Sequence, residues 1–194
     1  MTMPLDTLAD VTDEALLILY ANGDGAAARS LTLRLTPRVL AYAARMLGDR
    51  AEAEDIAQEA MLRLWRIAAD WRQGEAKVST WLYRVAANLC TDRLRRRRGV
   101  ALDDAPEPED GAPSVLHGMV DADRMRALDA ALAALPERQR QAVVLRHIEG
   151  MTNPDIAEIM EIGVEAVESL TARGKRALAA ALSGKRAALG YEDV

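Results

Sequence analysis

Apolar residues recur at helical rather than strand spacing along most of the chain. A first helix is predicted over about 13–21, capped by Thr12 and ended by Asn22-Gly23. Asp24 caps the next segment, which runs through VLAYAARML to Gly48, a candidate left-handed stop. Pro37 lies inside that pattern, so this helix either starts there or kinks there. Asp49 caps a third helix over about 50–69, with Ala53, Ile56, Ala57, Ala60, Leu64 and Ile67 in one stripe. Residues 70–78, DWRQGEAKV, lose the period, contain Gly74 and read as a loop. A fourth helix over about 80–97, capped by Ser79 or Thr80, turns Leu82, Val85, Ala86, Leu89 and Leu94 inward.

The period stops at 99–120, where Pro106, Pro108 and Pro113 alternate with Gly99, Gly111, Gly118 and acids. Such a stretch cannot bury a core of its own and reads as a linker. Helical spacing resumes over about 121–134, 137–148, 153–160 and 164–183, with Pro136 suited to a first turn and Gly150 to a stop. The expected architecture is therefore all-α: two small helical domains, 1–98 and 121–194, joined by the flexible acidic linker 99–120.

The last third carries a helix-turn-helix pattern. TNPDIAEIME (152–161) opens with Thr152 and Asp155 at capping-box spacing and turns Ile156, Ala157 and Met160 to one face. Ile162-Gly163 makes a turn, and the second helix buries Val164, Val167, Leu170 and Leu178. Its other face holds Glu165, Glu168, Ser169, Ala172, Arg173, Lys175 and Arg176. Small and polar residues at the start, with cations further along, suit a helix lying in a DNA major groove. An ordinary amphipathic hairpin is the other reading of this segment alone.

Composition narrows the classes. The 194 residues are 50% hydrophobic and contain no Phe, so the core is aliphatic. Cys90 is the single cysteine, which excludes an internal disulfide or a cysteine zinc site and fits a reducing, cytoplasmic setting. No basic leader and no apolar run of membrane-spanning length is present. The net charge of −5 is unevenly spread. Residues 93–98, RLRRRR, hold five arginines, whereas 99–123 hold seven acids and no cation.

Catalytic chemistry finds no support. The two histidines, His117 and His147, lie in different segments, and no phosphate loop, metal-spaced histidine pair or nucleophile motif is present. Glu52, Glu54, Asp55 and Glu59 on the third helix read as a solvated face rather than a metal site, so no cofactor, metal or small-molecule substrate is expected. Arginines near a helix C-terminus complement its dipole, but five in six positions exceed that need and suit phosphate contact. Trp65, Trp71 and Trp81 cluster just before or within this helix. Trp65 and Trp81 read as core, and Trp71, in the loop, as the exposed one that can stack a base.

Three segments in order resemble the extracytoplasmic-function (ECF) sigma factors of bacterial RNA polymerase. GDRAEAEDIAQEAMLRLW (48–65) is similar to the family's polymerase-binding helix, and STWLYRVAANLCTDRLRRRR (79–98) to its promoter-melting helix. ALAALPERQRQAVVLRHIEGMTNPDIAEIM (131–160) with VEAVESLTARGKRAL resembles its second domain. The resemblance implies a factor that binds core polymerase and directs promoter recognition and initiation in a stress or environmental response.

By matching motif positions, the resemblance places Asp55, Gln58, Glu59 and Leu62 on the clamp helices of the largest polymerase subunit, with a further contact at the flap. The loop 70–78, with Trp71, takes a flipped base of the minus-ten element, and Asn88, Asp92, Arg93 and Arg96 contact that element. Glu168, Ser169, Ala172 and Arg173 face the minus-thirty-five element, with Lys175 and Arg176 nearer its backbone. The acidic linker threads the RNA path of the polymerase, and an anti-sigma factor covers the polymerase and DNA faces. Gly174 departs from the pattern, inside a helix where it costs roughly 1 kcal/mol relative to Ala. A stand-alone helix-turn-helix regulator and a protein-interaction decoy are the alternatives left open by the sequence.

Overall fold

The computed structural model describes residues 8–72, 74, 77–100 and 119–183. The described residues form helices joined by turns, with no strand among them. They are α1 (Asp13–Ala21), α2 (Gly25–Leu47), α3 (Arg50–Ile67), α4 (Val78–Val100), α5 (Met119–Ala133), α6 (Glu137–Val143), α7 (Asn153–Met160) and α8 (Val164–Ser183). A 3₁₀ turn, Ala68–Asp70, follows α3, and a π-helical turn, Val144–Ile148, extends α6. The tail after Ser183 and most of the expected linker lie outside the described residues.

Local chemistry explains the helix starts. Thr12 accepts from the Ala15 N–H, Asp24 from those of Ala26 and Ala27, and Asp49 from that of Glu52. Each bond satisfies a donor that the first helical turn leaves without a partner. Gly48 stops α2 in the left-handed region at φ 67°. Glu161 does the same for α7 at φ 52°, the one non-glycine among the described residues with positive φ.

Several boundaries differ from the sequence expectation. α2 starts at Gly25 and runs through Pro37, which is exposed. The Leu33 carbonyl forfeits a helical donor there. Neither Ser79 nor Thr80 caps α4: the helix starts at Val78, whose N–H donates to Glu14 Oε1 of α1 at 2.9 Å. Gly99 and Val100, assigned to the linker by composition, complete α4. Val164 is not buried but 40% exposed.

α1–α4 form one group and α5–α8 another, and the two pack together with their buried residues in one continuous cluster. From the first group come Leu16, Leu31, Tyr42, Leu64 and Leu82, and from the second Leu132, Leu145, Ile156 and Val167. Gly174 of α8 is buried against α6, where an added Cβ would stand 2.5 Å from Val143 Cγ2 and 3.2 Å from the Gln139 carbonyl oxygen. The glycine that weakens α8 as a helix is what lets α8 approach α6.

Candidate nucleic-acid and partner interfaces

On α3 the inward stripe Ala53, Ile56, Ala57, Ala60 and Leu64 is buried. The opposite face is left to solvent. Asp55 and Gln58 are exposed, Leu62 is 42% exposed, and Glu59 pairs with Arg63 at 2.8 Å. Gln58 and Leu62 also line a groove of about 350 Å³ between α2 and α3, together with Thr36, Leu40, Met61 and Trp65. An apolar floor with one acid, Glu54, on its rim suits an amphipathic basic helix. Asp55 lies outside this groove, and Glu54 is on it.

The arginine-rich end of α4 divides into two uses. Arg97 donates to the Leu47 carbonyl and to Glu52 Oε2 at 2.9 and 2.5 Å, and Arg93 pairs with Glu52 at 3.5 Å. These two tie α4 to the α2–α3 turn. Arg95 pairs with Asp92 at 2.9 Å, and Arg98 reaches Glu137 of α6 at 2.9 Å. Arg96 is exposed and makes no ion pair among the described residues. Of the minus-ten candidates, Arg96 and Asn88 are therefore exposed, while Asp92 and Arg93 are engaged within the fold.

Trp71 is half-buried rather than exposed. Its ring stands edge-on to Trp81, 6.4 Å between centroids, and its indole nitrogen is buried without a hydrogen-bond partner among the described residues. Contact with Trp81 explains the difference, since an indole gains more from an aromatic neighbour than from water.

On α8 the minus-thirty-five candidates Glu168, Ser169, Ala172, Arg173 and Arg176 are all exposed. Val167 and Gly174 bury the opposite face. Glu168 accepts from Asn153 Nδ2 at 3.3 Å, which ties the start of α8 to the start of α7. Lys175 is exposed too, but it borders a different, apolar groove of about 270 Å³ with Leu128, Leu132, His147 and Leu178. Burial, and then the charges of Lys175 and Arg146, hold the His147 imidazole below its ordinary value.

A polar seam between the two helical groups was not legible in the sequence. Lys77 donates to both carboxylate oxygens of Asp155, and the Thr80 hydroxyl to one of them at 3.3 Å. The Tyr83 hydroxyl donates to Glu149, whose side chain is only 6% exposed, and Arg38 lies 3.9 Å from the same carboxylate. The Arg38 guanidinium also sits over the Tyr83 ring, 5.8 Å from its centroid. Arg84 pairs with Glu158 at 3.6 Å. Arg140 donates to the Met46 carbonyl at 3.0 Å, and Arg45 meets Asp129 at 3.8 Å. These residues come from helix flanks and turns and share no period, so no spacing marks them.

With this geometry in hand, likeness to known proteins is informative. The Sigma-70 region 2 family matches residues 31–100, and the Sigma-70, region 4 family matches residues 125–178. The chain is 35% identical over 145 residues to the ECF RNA polymerase sigma factor SigW of Bacillus subtilis, covering 69% of this chain and 77% of that one. It is 36% identical over 169 residues to the ECF RNA polymerase sigma factor SigM of Mycobacterium tuberculosis, covering 87% and 83%. In structure it is similar to CnrH, solved in complex with the cytosolic domain of CnrY, with a TM-score of 0.65 and 26% identity over 89% of this chain and 97% of that one. Among the described residues no helix is long and apolar enough to cross a membrane.

Proposed function

The chain belongs to the ECF sigma factors of bacterial RNA polymerase, and from that premise we propose how its residues divide the work. It is a non-enzymatic initiation factor that binds core polymerase and directs promoter recognition and transcription initiation. Residues 1–98 take the clamp and the minus-ten element, 99–120 form the tether, and 121–194 take the minus-thirty-five element. The clamp helices of the largest polymerase subunit dock on Asp55, Gln58, Glu59 and Leu62. The observation that supports this is an exposed leucine beside an apolar groove with acids close by.

Trp71, Asn88, Asp92, Arg93 and Arg96 serve the minus-ten element. Flipping a base out of a duplex costs a few kcal/mol, so it requires a stacking surface and polar partners at the acceptor site. The Trp71–Trp81 pair supplies such aromatic surface. Glu168, Ser169, Ala172 and Arg173 read the minus-thirty-five element in the major groove, with Lys175 and Arg176 toward its phosphates. The protein works in the cytoplasm, where polymerase is. An anti-sigma partner controls it; the structurally similar CnrH was solved in complex with another protein, the cytosolic domain of CnrY.

Run-off transcription tests the reading: purified core polymerase is given fragments of the source genome with and without this protein. Discrete transcripts that appear only with it, and whose starts share two upstream elements, are the expected result. A protein that fails to bind core but shifts duplex DNA alone would instead be a stand-alone regulator.

A further inference from the structure

We propose that Glu168 reads a cytosine of the minus-thirty-five element, and that Asn153, on the other helix of the helix-turn-helix, is the residue that positions it. The inference rests on the sigma-factor reading and adds the base that is read and the side chain that sets the reader.

The chemistry of the carboxylate selects the base. An ionised carboxylate accepts hydrogen bonds and donates none. In the major groove guanine shows the acceptors N7 and O6, and thymine shows O4, so a carboxylate is repelled at either. The amino groups of adenine and cytosine are the donors there. Adenine N6 stands between two acceptors, its own N7 and the paired thymine O4. Cytosine N4 has one acceptor beside it, the paired guanine O6. Cytosine is therefore the base that a lone carboxylate accepts best.

The geometry selects the reader. Glu168 is exposed on the second turn of α8. Between it and Arg173 the exposed strip carries only Ser169 and Ala172, whose side chains are short. Arg173 and Arg176 follow, both exposed, and suit the phosphates that a carboxylate repels. Asn153 Nδ2 donates to Glu168 Oε1 at 3.3 Å. The second carboxylate oxygen makes no hydrogen bond among the described residues and is left for the base. A glutamate loses much rotamer freedom when its side chain is fixed, and the bond to Asn153 removes part of that freedom before DNA arrives. Asn153 is itself held from a firm place. It is half-buried and is the first residue of α7, directly after the Thr152 cap. Two residues earlier, Arg146 donates to the Met151 carbonyl at 2.9 Å. Glu165, on the first turn of α8, complements the helix dipole and has no such tie to α7 among the described residues.

The test is run-off transcription by core polymerase with the full chain. The template is the promoter that wild type uses best, with each position of the upstream element changed in turn to all four bases. At one position wild type should favour cytosine about tenfold over guanine or thymine. Glutamine donates as well as accepts, and pairs with adenine through N6 and N7. Glu168→Gln should therefore move the preference at that position alone from cytosine to adenine. Asn153→Ala should keep cytosine first there but reduce its advantage about threefold, as a freer glutamate predicts, with the other positions unchanged. Asn153→Gln keeps an amide donor and should recover part of the loss.

An unchanged base ranking in Glu168→Gln overturns the proposal, and so does a wild type that favours cytosine at no upstream position. A loss spread evenly over all positions in Asn153→Ala, or no recovery in Asn153→Gln, would reduce Asn153 to a tie between α7 and α8. If Asn153→Ala loses helical circular dichroism, Asn153→Leu, which keeps the volume without the donor, takes its place. Initiation by wild type with the ranking unmoved in Glu168→Gln sinks this inference alone. A wild type that directs no initiation sinks the sigma reading, and this inference with it.

Discussion

The Lys77 ammonium holds both carboxylate oxygens of Asp155, at 3.2 and 3.1 Å, across 78 positions of sequence. The same Asp155 completes the capping box of α7, accepting from the Thr152 hydroxyl at 2.6 Å while its own N–H donates back to that oxygen. One carboxylate thus starts the first helix of the helix-turn-helix and fastens it to the flank of α4. Docking and local folding of α7 are coupled through a single charge.

That coupling has a pH signature. Burial pushes the Asp155 carboxyl up, but hydrogen bonds from Thr152 and Lys77, with the Lys77 charge, outweigh it and hold the carboxyl below its ordinary value. A carboxylate depressed in the folded state contributes stability that is fully present above the unfolded value of about 3.9 and is lost as pH falls through the folded one. Asp155→Asn should therefore lower the thermal midpoint by a constant amount near neutrality. The gap to wild type should close only below about pH 4. A gap that already changes between neutrality and mild acid would assign the effect to another group.

Gly174→Ala should destabilise the protein although alanine is the better helix former. The added carbon meets Val143 Cγ2 at 2.5 Å and the Gln139 carbonyl at 3.2 Å. Overpacking of this kind costs about 1–3 kcal/mol, against roughly 1 kcal/mol gained in propensity. Denaturant titration should show a net loss, relieved in part by adding Val143→Ala. A gain in stability would mean that α6 and α8 pack less closely.

Leu62→Asp should weaken binding to core polymerase about tenfold or more, because it puts a charge into an apolar contact. Leu62 is 42% exposed, so the fold should survive. Unchanged affinity in a pull-down or fluorescence titration with core would remove Leu62 from the clamp contact.

Glu168→Ala should alter preference within the upstream promoter element and leave core binding intact. Glu168 is exposed, and its partner among the described residues, Asn153, lies at the start of α7. Transcription from a panel of upstream variants measures it. The same ranking of variants before and after the change would show that Glu168 does not read bases.

Elements governed by local rules were legible from the sequence. Thr12, Asp24, Asp49 and Thr152 cap helices as read, and α7 and α8 have the expected bounds. Elements governed by distant partners were not. Thr80 looks like a cap because its residue type fits, yet it is 1% exposed and spends its hydroxyl on Asp155. Val78 starts α4 because Glu14 accepts its N–H from another helix. Arg93 and Arg97 resemble phosphate ligands by composition, and only the fold brings Glu52 to them. Among the proposed contact residues, type and helical face were readable on α3 and α8. The polar seam between the two helical groups depends on contacts between residues dozens of positions apart, which carry no periodic signal.

Cys90 makes the packing between the two helical groups measurable without a label. The thiol is 1% exposed, and burial, then the charges of Glu137 and Glu52, push its pKa up to about 12. The thiolate is the reactive form, so at neutral pH both access and ionisation oppose reaction. Glu137 belongs to α6 and Glu52 to α3, so the thiol lies within the influence of both helical groups. Wild type should react slowly with an aromatic disulfide reagent at low salt, and faster as salt loosens the seam. Glu149→Gln/Glu158→Gln should react faster than wild type at every ionic strength, while far-ultraviolet circular dichroism stays unchanged. Equal rates for the two proteins, with no response to salt, would mean that Cys90 is shielded by α1–α4 alone.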